Sequence, residues 1–252
     1  MQETFYQVHT PLSIALITDL HQTPGDAVLA SLRANRPELI CLAGDLVYGC
    51  LPKDRGLTKI EDAGVLPFLS ACAELAPSFY SLGNHEWMLG EEDFALIAET
   101  GVELLDNRWI RRGDMAIGGL SCARNTKYRQ FCTALHSGER YPYNGDRYPH
   151  AVPVTDWLAE MEAFDGYKLL LCHHPEYYPA YLSRRKLDLI LSGHAHGGQI
   201  RLFGRGLYAP GQGLCPKYTS GVYDGRMVVS RGLSNNVIVP RLFNPTEIVY
   251  IH

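Results

Sequence analysis

Five short polar clusters lie along this chain of 252 residues, and each follows directly on an apolar, strand-like run. Asp19-Leu20-His21 follows residues 14–18, Gly44-Asp45 follows 39–43, and Gly83-Asn84-His85-Glu86 follows 79–82. His173-His174 follows 169–172, and Gly193-His194-Ala195-His196 follows 187–192. In open α/β sheets, ligands bind just beyond the carboxyl ends of the strands. The pattern therefore predicts one pocket that collects all five clusters. Its Asp, Asn and His donors suit a pair of hard or borderline metal ions.

Spacing sharpens this reading. In extended chain, residues i and i+2 point to the same side. Asp19 with His21, and His194 with His196, can thus both close on one metal region. Asp45 and Asn84 each bring an oxygen donor from a strand end, and Gly44, Gly83 and Gly193 allow tight turns beside candidate ligands. Each piece alone is weak. Gly-Asp occurs four times, and Gly25-Asp26, Gly113-Asp114 and Gly145-Asp146 read as ordinary turns, because only Asp45 follows an apolar run. His173-His174 also reads as a satisfied pair at a strand end. His9, His136, His150 and His252 lack such a context and read as surface or loop histidines.

The first half alternates strands and helices. A helix from an Asp26 N-cap to Asn35, closed by Pro37, follows the first strand. A second helical region is expected over 58–75 with Pro67 as a kink or break, and a third over 91–100 with acids in its first turn. Residues 102–105, 108–112 and 115–120 read as short strands. Further strands follow at 168–172 and 187–192 around a helix near 177–183. The last part reads as strands at 199–203, 218–223, 227–230 and 247–251, with a hairpin turn at Asp224-Gly225. The fold class is α/β: two packed sheets flanked by helices, in a single domain over 1–252. Residues 121–153, rich in Arg, Tyr, Pro and Gly, form an irregular insertion of the kind that serves as a substrate lid.

Composition narrows the partners. A net charge of −4, from 23 basic and 27 acidic residues, gives no indication of nucleic acid as the main partner. Seven cysteines include no CxxC pair, so a cysteine zinc site is not expected. Cys41 and Cys172 read as core residues, and free thiols fit a reducing compartment. Residues 1–10 do not read as an export signal, and no stretch approaches the roughly 18 apolar residues of a membrane span. The expected location is cytoplasmic.

The order D-x-H, G-D, G-N-H-E, strand-end His and G-H-x-H resembles that of the calcineurin-like metallophosphoesterases, over nearly the whole chain. The resemblance implies a four-layer α/β/β/α sandwich with a two-metal site. It implies that Asp19, His21 and His196 hold the first metal, that Asn84, His173 and His194 hold the second, and that Asp45 bridges both. His173 is preferred to His174 because it comes first after the strand and is followed by x-Pro175, as in the family's pattern. His85 would bind no metal; it would face the substrate phosphate and protonate or steady the leaving oxygen. Glu86 takes a position often filled by Asp. Residues 188–200 and 229–233, with Pro240-Arg241 and 245–248, are similar to a bacterial phosphodiesterase branch. That branch includes membrane-associated enzymes and UDP-diacylglucosamine pyrophosphate hydrolases, so a membrane or lipid substrate enters by resemblance alone, with no anchor seen.

The expected activity is hydrolysis of a phosphodiester or pyrophosphate bond by direct attack of a metal-bridging hydroxide, with two divalent ions, Mn first and Fe or Zn next. A phosphomonoesterase with the same site is the alternative. A non-catalytic scaffold of this fold is disfavoured by the intact ligand set and His85. Arg124, Lys127 and Arg129, interleaved with tyrosines in the irregular insertion, are candidate contacts to a small phosphate-ester substrate. Oligomeric state is not legible in the sequence.

Overall fold

The apolar runs become strands because they are buried on both faces, which requires a layer on either side of the sheet. In chain order the elements are β1 (Gln2–Tyr6), β2 (Ile14–Ile17), α1 (Asp26–Asn35), β3 (Leu39–Ala43), α2 (Leu66–Leu75), β4 (Ser78–Ser81) and α3 (Glu91–Glu99). There follow β5 (Glu103–Leu104), β6 (Arg108–Arg112), β7 (Met115–Leu120), α4 (Leu158–Glu162), β8 (Tyr167–Cys172) and β9 (Leu189–Ser192). Two small hairpins, β10 (Arg201–Leu202) with β11 (Arg205–Gly206) and β12 (Tyr208–Ala209) with β13 (Gly213–Leu214), precede β14 (Gly221–Tyr223), β15 (Met227–Val229) and β16 (Glu247–Ile251). These come from a computed structural model that describes residues 1–48, 60–61, 63–123, 152–234 and 239–252.

Two six-stranded mixed sheets result, in the orders β1-β16-β2-β3-β4-β5 and β14-β15-β9-β8-β7-β6. In the first, β2 to β5 run parallel and β16 runs antiparallel to β2. In the second, β7, β8, β9 and β15 run parallel, with β6 and β14 as antiparallel edges. Strand alternation sorts side chains into three apolar layers. Ile17, Ile40, Leu42 and Tyr80 pack against Val28 and Leu32 of α1 and Phe68, Leu69 and Cys72 of α2. Leu16, Leu39, Cys41 and Phe79 meet Ile117, Leu169, Leu171 and Leu191 between the sheets. Leu170, Cys172 and Ile190 pack against Leu158 and Met161 of α4 and the helical turn Tyr178–Leu182. The fold is the expected α/β/β/α sandwich, with Cys41 and Cys172 in its core.

Several local expectations change. Pro67 lies in the first turn of α2, where its missing N–H costs no hydrogen bond; it opens that helix rather than breaking one. Residues 51–59 and 62 lie outside the described set, so the earlier part of the expected 58–75 helix is not seen. Asp26 is the first helical residue of α1, and Gly25 is its N-cap. The polar start of the chain forms β1, an edge strand pairing parallel with β16. Its alternating exposed and partly buried residues explain why no apolar run announced it. The turn at Asp224-Gly225 has positive φ at both residues and joins β14 to β15. Among the described residues, no helix is long and apolar enough to cross a membrane.

Candidate metal centre

All five clusters emerge at the carboxyl ends of parallel strands β2, β3, β4, β8 and β9, and the first three face the last two across the seam between the sheets. Asp19 and His21 do converge on one donor group, but not through extended chain, while His194 and His196 divide between two groups, His196 with Asp19 and His194 with Asp45. Asp19, His21, Asp45, His194 and His196 all have φ between 45° and 64°. This left-handed region is uncommon for non-glycine residues, and such strain concentrates at functional sites. The chain turns sharply off each strand, and the turn aims the side chains into the seam.

Two carboxylates organise the site in the same way. Asp19 Oδ2 accepts the His194 backbone N–H at 3.2 Å, and Asp45 Oδ1 accepts the His85 N–H at 2.8 Å. The other oxygen of each faces imidazoles. Asp19 Oδ1 lies 3.6 Å from His196 Nε2 and 3.9 Å from His21 Nε2. Asp45 Oδ2 lies 3.0 Å from His173 Nε2 and 3.9 Å from both His21 Nε2 and His85 Nε2. One donor atom from each of Asp19, His21 and His196, and from each of Asp45, His173 and His194, lies within 4.8 Å of the others in its group. Close approach is possible because Gly83 lacks a side chain: a Cβ there would fall 2.3 Å from Asp45 Oδ1.

The donors fit a divalent cation pair. Asp19 Oδ1 and Asn84 Oδ1 are buried without a hydrogen-bond partner among the described residues, and buried His173 Nε2 has the Asp45 carboxylate 3.0 Å away. Buried polar atoms are normally satisfied, so these inward-facing ones are what a bound cation would use. The electrostatics agree. Burial, above all, holds His21 down to about 3 and lowers His194 and His196, leaving them neutral donors. Burial also lowers His173, but the Asp45 carboxylate outweighs it and raises His173 to about 9. Burial likewise raises Asp45, and the surrounding His173, His85 and His21 overcome it to hold that carboxyl well below the usual range. The pair wants one positive charge between its atoms, and a cation supplies it in place of the proton.

His85 differs from the other donors. It opens a helical turn, His85–Met88, and its side chain remains 22 % exposed at the mouth of the site. Its ring centroid lies 4.6 Å from that of His21 and 5.5 Å from that of Tyr48.

A family profile for calcineurin-like phosphoesterases matches residues 12–198. The chain belongs to the calcineurin-like phosphoesterase family. This phosphoesterase is 25 % identical to YpbG of Bacillus subtilis over 237 residues, 92 % of the chain and 77 % of that protein. It is 28 % identical to the phosphodiesterase YaeI of Escherichia coli over 203 residues, covering 76 % of the chain and 63 % of YaeI. A metallophosphoesterase of Helicobacter pylori is 24 % identical over 95 % of the chain, which spans 59 % of that relative's length. A dimetal phosphatase from Danio rerio aligns over 87 % of both chains, at 12 % identity and a TM-score of 0.48. The family and the clustered His and Asp donors together point to a two-metal centre.

Two supporting groups of the phosphoesterase escaped sequence reasoning. Glu86 registered only as a variant of a usual Asp. It is buried and accepts hydrogen bonds from the N–H groups of Gly83 (2.7 Å), Asp45 (3.0 Å) and Leu46 (2.8 Å) and from the Tyr80 hydroxyl (2.7 Å). It ties the β3 and β4 loops together. Arg241 donates to the carbonyls of Arg231 and Ser234, fixing the loop whose Gly232 packs on Asp19. An acid directly after Gly-Asn-His was the available signal for Glu86; Arg241 entered only as part of the Pro240-Arg241 stretch of the resemblance, with no role attached. Arg124, Lys127, Arg129, His136, His150 and most of the 121–153 insertion lie outside the described residues, while His9 and His252 are exposed.

Proposed function

We propose that this phosphoesterase hydrolyses a phosphodiester or pyrophosphate bond by direct attack of a water-derived nucleophile on phosphorus. In this reading Asp19, His21 and His196 hold one divalent ion, Asn84, His173 and His194 hold a second, and Asp45 bridges them; Mn is the first choice of metal. The observation that carries it is the grouping of Asp19, His21 and His196, and of Asp45, His173 and His194, at a seam where two carboxylates already have one oxygen fixed by backbone. When bound, such an ion pair neutralises phosphate charge and brings the pKa of a water ligand to about 7.

The protein supplies the rest. Backbone N–H groups hold both carboxylates so that one oxygen of each faces inward, which avoids reorganisation during reaction. The neutral imidazoles of His194 and His196 are donors without proton loss. His85, at the open side of Asp45, is suited to give a proton to the departing oxygen of an ester whose phosphorus sits over the seam. The similarity to the phosphodiesterase YaeI favours a diester over a monoester. Turnover of bis(p-nitrophenyl) phosphate and of p-nitrophenyl phosphate by the Mn-loaded protein tests this. Faster diester cleavage is expected. Faster monoester cleavage would overturn the diester assignment, and no metal-dependent turnover of either would overturn the function.

A further inference from the structure

Behind the proposed second half-site lies a group of ionisable side chains that this function does not use. His174, Glu176 and His194 each bring a donor atom within 4.8 Å of the others. His174 Nδ1 hydrogen-bonds Glu176 Oε1 at 2.9 Å, and His194 Nε2 stands 3.5 Å from the same oxygen. The His174 and His194 rings lie 4.2 Å apart, and Tyr177 stacks on the far side of His174 at 4.8 Å. The β12–β13 hairpin closes over the carboxylate: a Cβ at Gly211 would fall 2.1 Å from Glu176 Oε1.

An imidazole that binds a cation through one nitrogen gives its other N–H to a carboxylate, a carbonyl or water, which fixes tautomer and ring orientation. His173 follows this rule. Its Nδ1 donates to the Ala43 carbonyl at 2.8 Å, and its Nε2 is left toward Asp45. His194 has the same arrangement with the nitrogens exchanged: Nε2 faces Glu176, which leaves Nδ1 for the Asp45–His173 group. We propose that Glu176 is a positioning residue for the second half-site, holding His194 as the Nε2–H tautomer with Nδ1 toward the cation. His174 and the Gly211 turn steady that carboxylate. The proposal rests on the two-metal reading above.

Mn(II) titration of the full chain, by calorimetry with chelator competition, tests it. Two binding steps are expected. Glu176→Ala weakens one of them by about 10–100-fold and leaves the other unchanged; Glu176→Gln, which keeps an acceptor oxygen, recovers most of the loss. A ¹⁵N–¹H correlation of the Zn-loaded native protein, which needs no variant, shows His194 protonated on Nε2. Equal affinities in native protein and Glu176→Ala, or His194 protonated on Nδ1, overturn the proposal. A third bound equivalent that Glu176→Ala abolishes makes Glu176 a ligand of a separate cation and also overturns it. Absence of any binding step in the native chain overturns the two-metal reading itself, and this proposal with it.

Discussion

The two sheets give the site different chemistry. The first contributes the carboxylates Asp19 and Asp45 along with His21 and His85, at the ends of β2, β3 and β4. The second contributes the imidazoles His173, His194 and His196, from β8 and β9. The negative half is rigid: its carboxylates are held by backbone N–H groups, and Glu86 binds its loops to one another. The imidazole half is aimed by single contacts, Ala43 for His173 and Glu176 for His194. In the proposed two-metal reading each ion takes ligands from both sheets, so a cation is what the two halves would share. The seam between them is therefore both the site and a joint that metal should tighten.

Asp45→Asn breaks the comparison most severely, because Asp45 is the proposed bridge between the two ions and its Oδ2 faces His21 and His85 of the first sheet and His173 of the second. Its loss of activity should exceed the roughly 10²–10⁴-fold that loss of an acid–base group costs, as measured by kcat on a diester with metal content determined in parallel. His85→Ala should fall within that range, with metal content intact, since His85 is the exposed member of the oxygen-rich half. Loss of both metals in His85→Ala would show it to be a ligand.

Glu86→Ala sharpens the idea of a rigid first half. It strands three backbone N–H groups and a tyrosine hydroxyl, at about 1–3 kcal/mol each where they stay dry. A drop of several kcal/mol in urea unfolding is expected; a drop under about 1 kcal/mol would mean the loops hold without it. The imidazoles kept neutral in both halves should show themselves in pH dependence. His21, His194 and His196 resist protonation in the fold, so the unfolded chain takes protons near pH 6.5 that the folded chain rejects. Glu86, raised to about 7 chiefly by burial, takes up one proton in the fold over the same range and offsets part of this. Metal-free protein should thus lose stability as pH falls from about 5.5 toward 4.5, where the raised His173 and His174 are protonated in both states and cancel, by on the order of 2 kcal/mol per pH unit for a net two protons. Constant stability across that window would contradict the burial assigned to these imidazoles. The smallest effect belongs far from the seam. Arg108→Ala removes an exposed ion pair with Glu103 and should change stability by less than about 1 kcal/mol, with activity unchanged.

What the sequence disclosed follows from the same asymmetry. Apolar runs buried on both faces, followed at once by Asp, Asn or His, are a local pattern, so the layers and the inward donors could be read from the residues and their order. The backbone that aims them could not: Asp19, His21, Asp45, His194 and His196 adopt left-handed φ that only their tertiary setting enforces, against the extended chain expected of i, i+2 pairs. β1 was hidden because an edge strand with alternating exposure carries no apolar run. Glu86, Glu176 and Arg241 act through groups that are distant in sequence or through backbone atoms, which leave no trace in spacing. Pro67 was read as a breaker because Pro inside a helical pattern usually is one, and its place in the first turn of α2 decided otherwise.

The most direct measurement is anomalous diffraction from crystals of the Mn-loaded protein. Two peaks about 3.5–4 Å apart, both touching the Asp45 carboxylate, one flanked by Asp19, His21 and His196 and the other by Asn84, His173 and His194, are the predicted result. A single peak, or peaks away from Asp45, would contradict the shared two-metal seam on which the account stands.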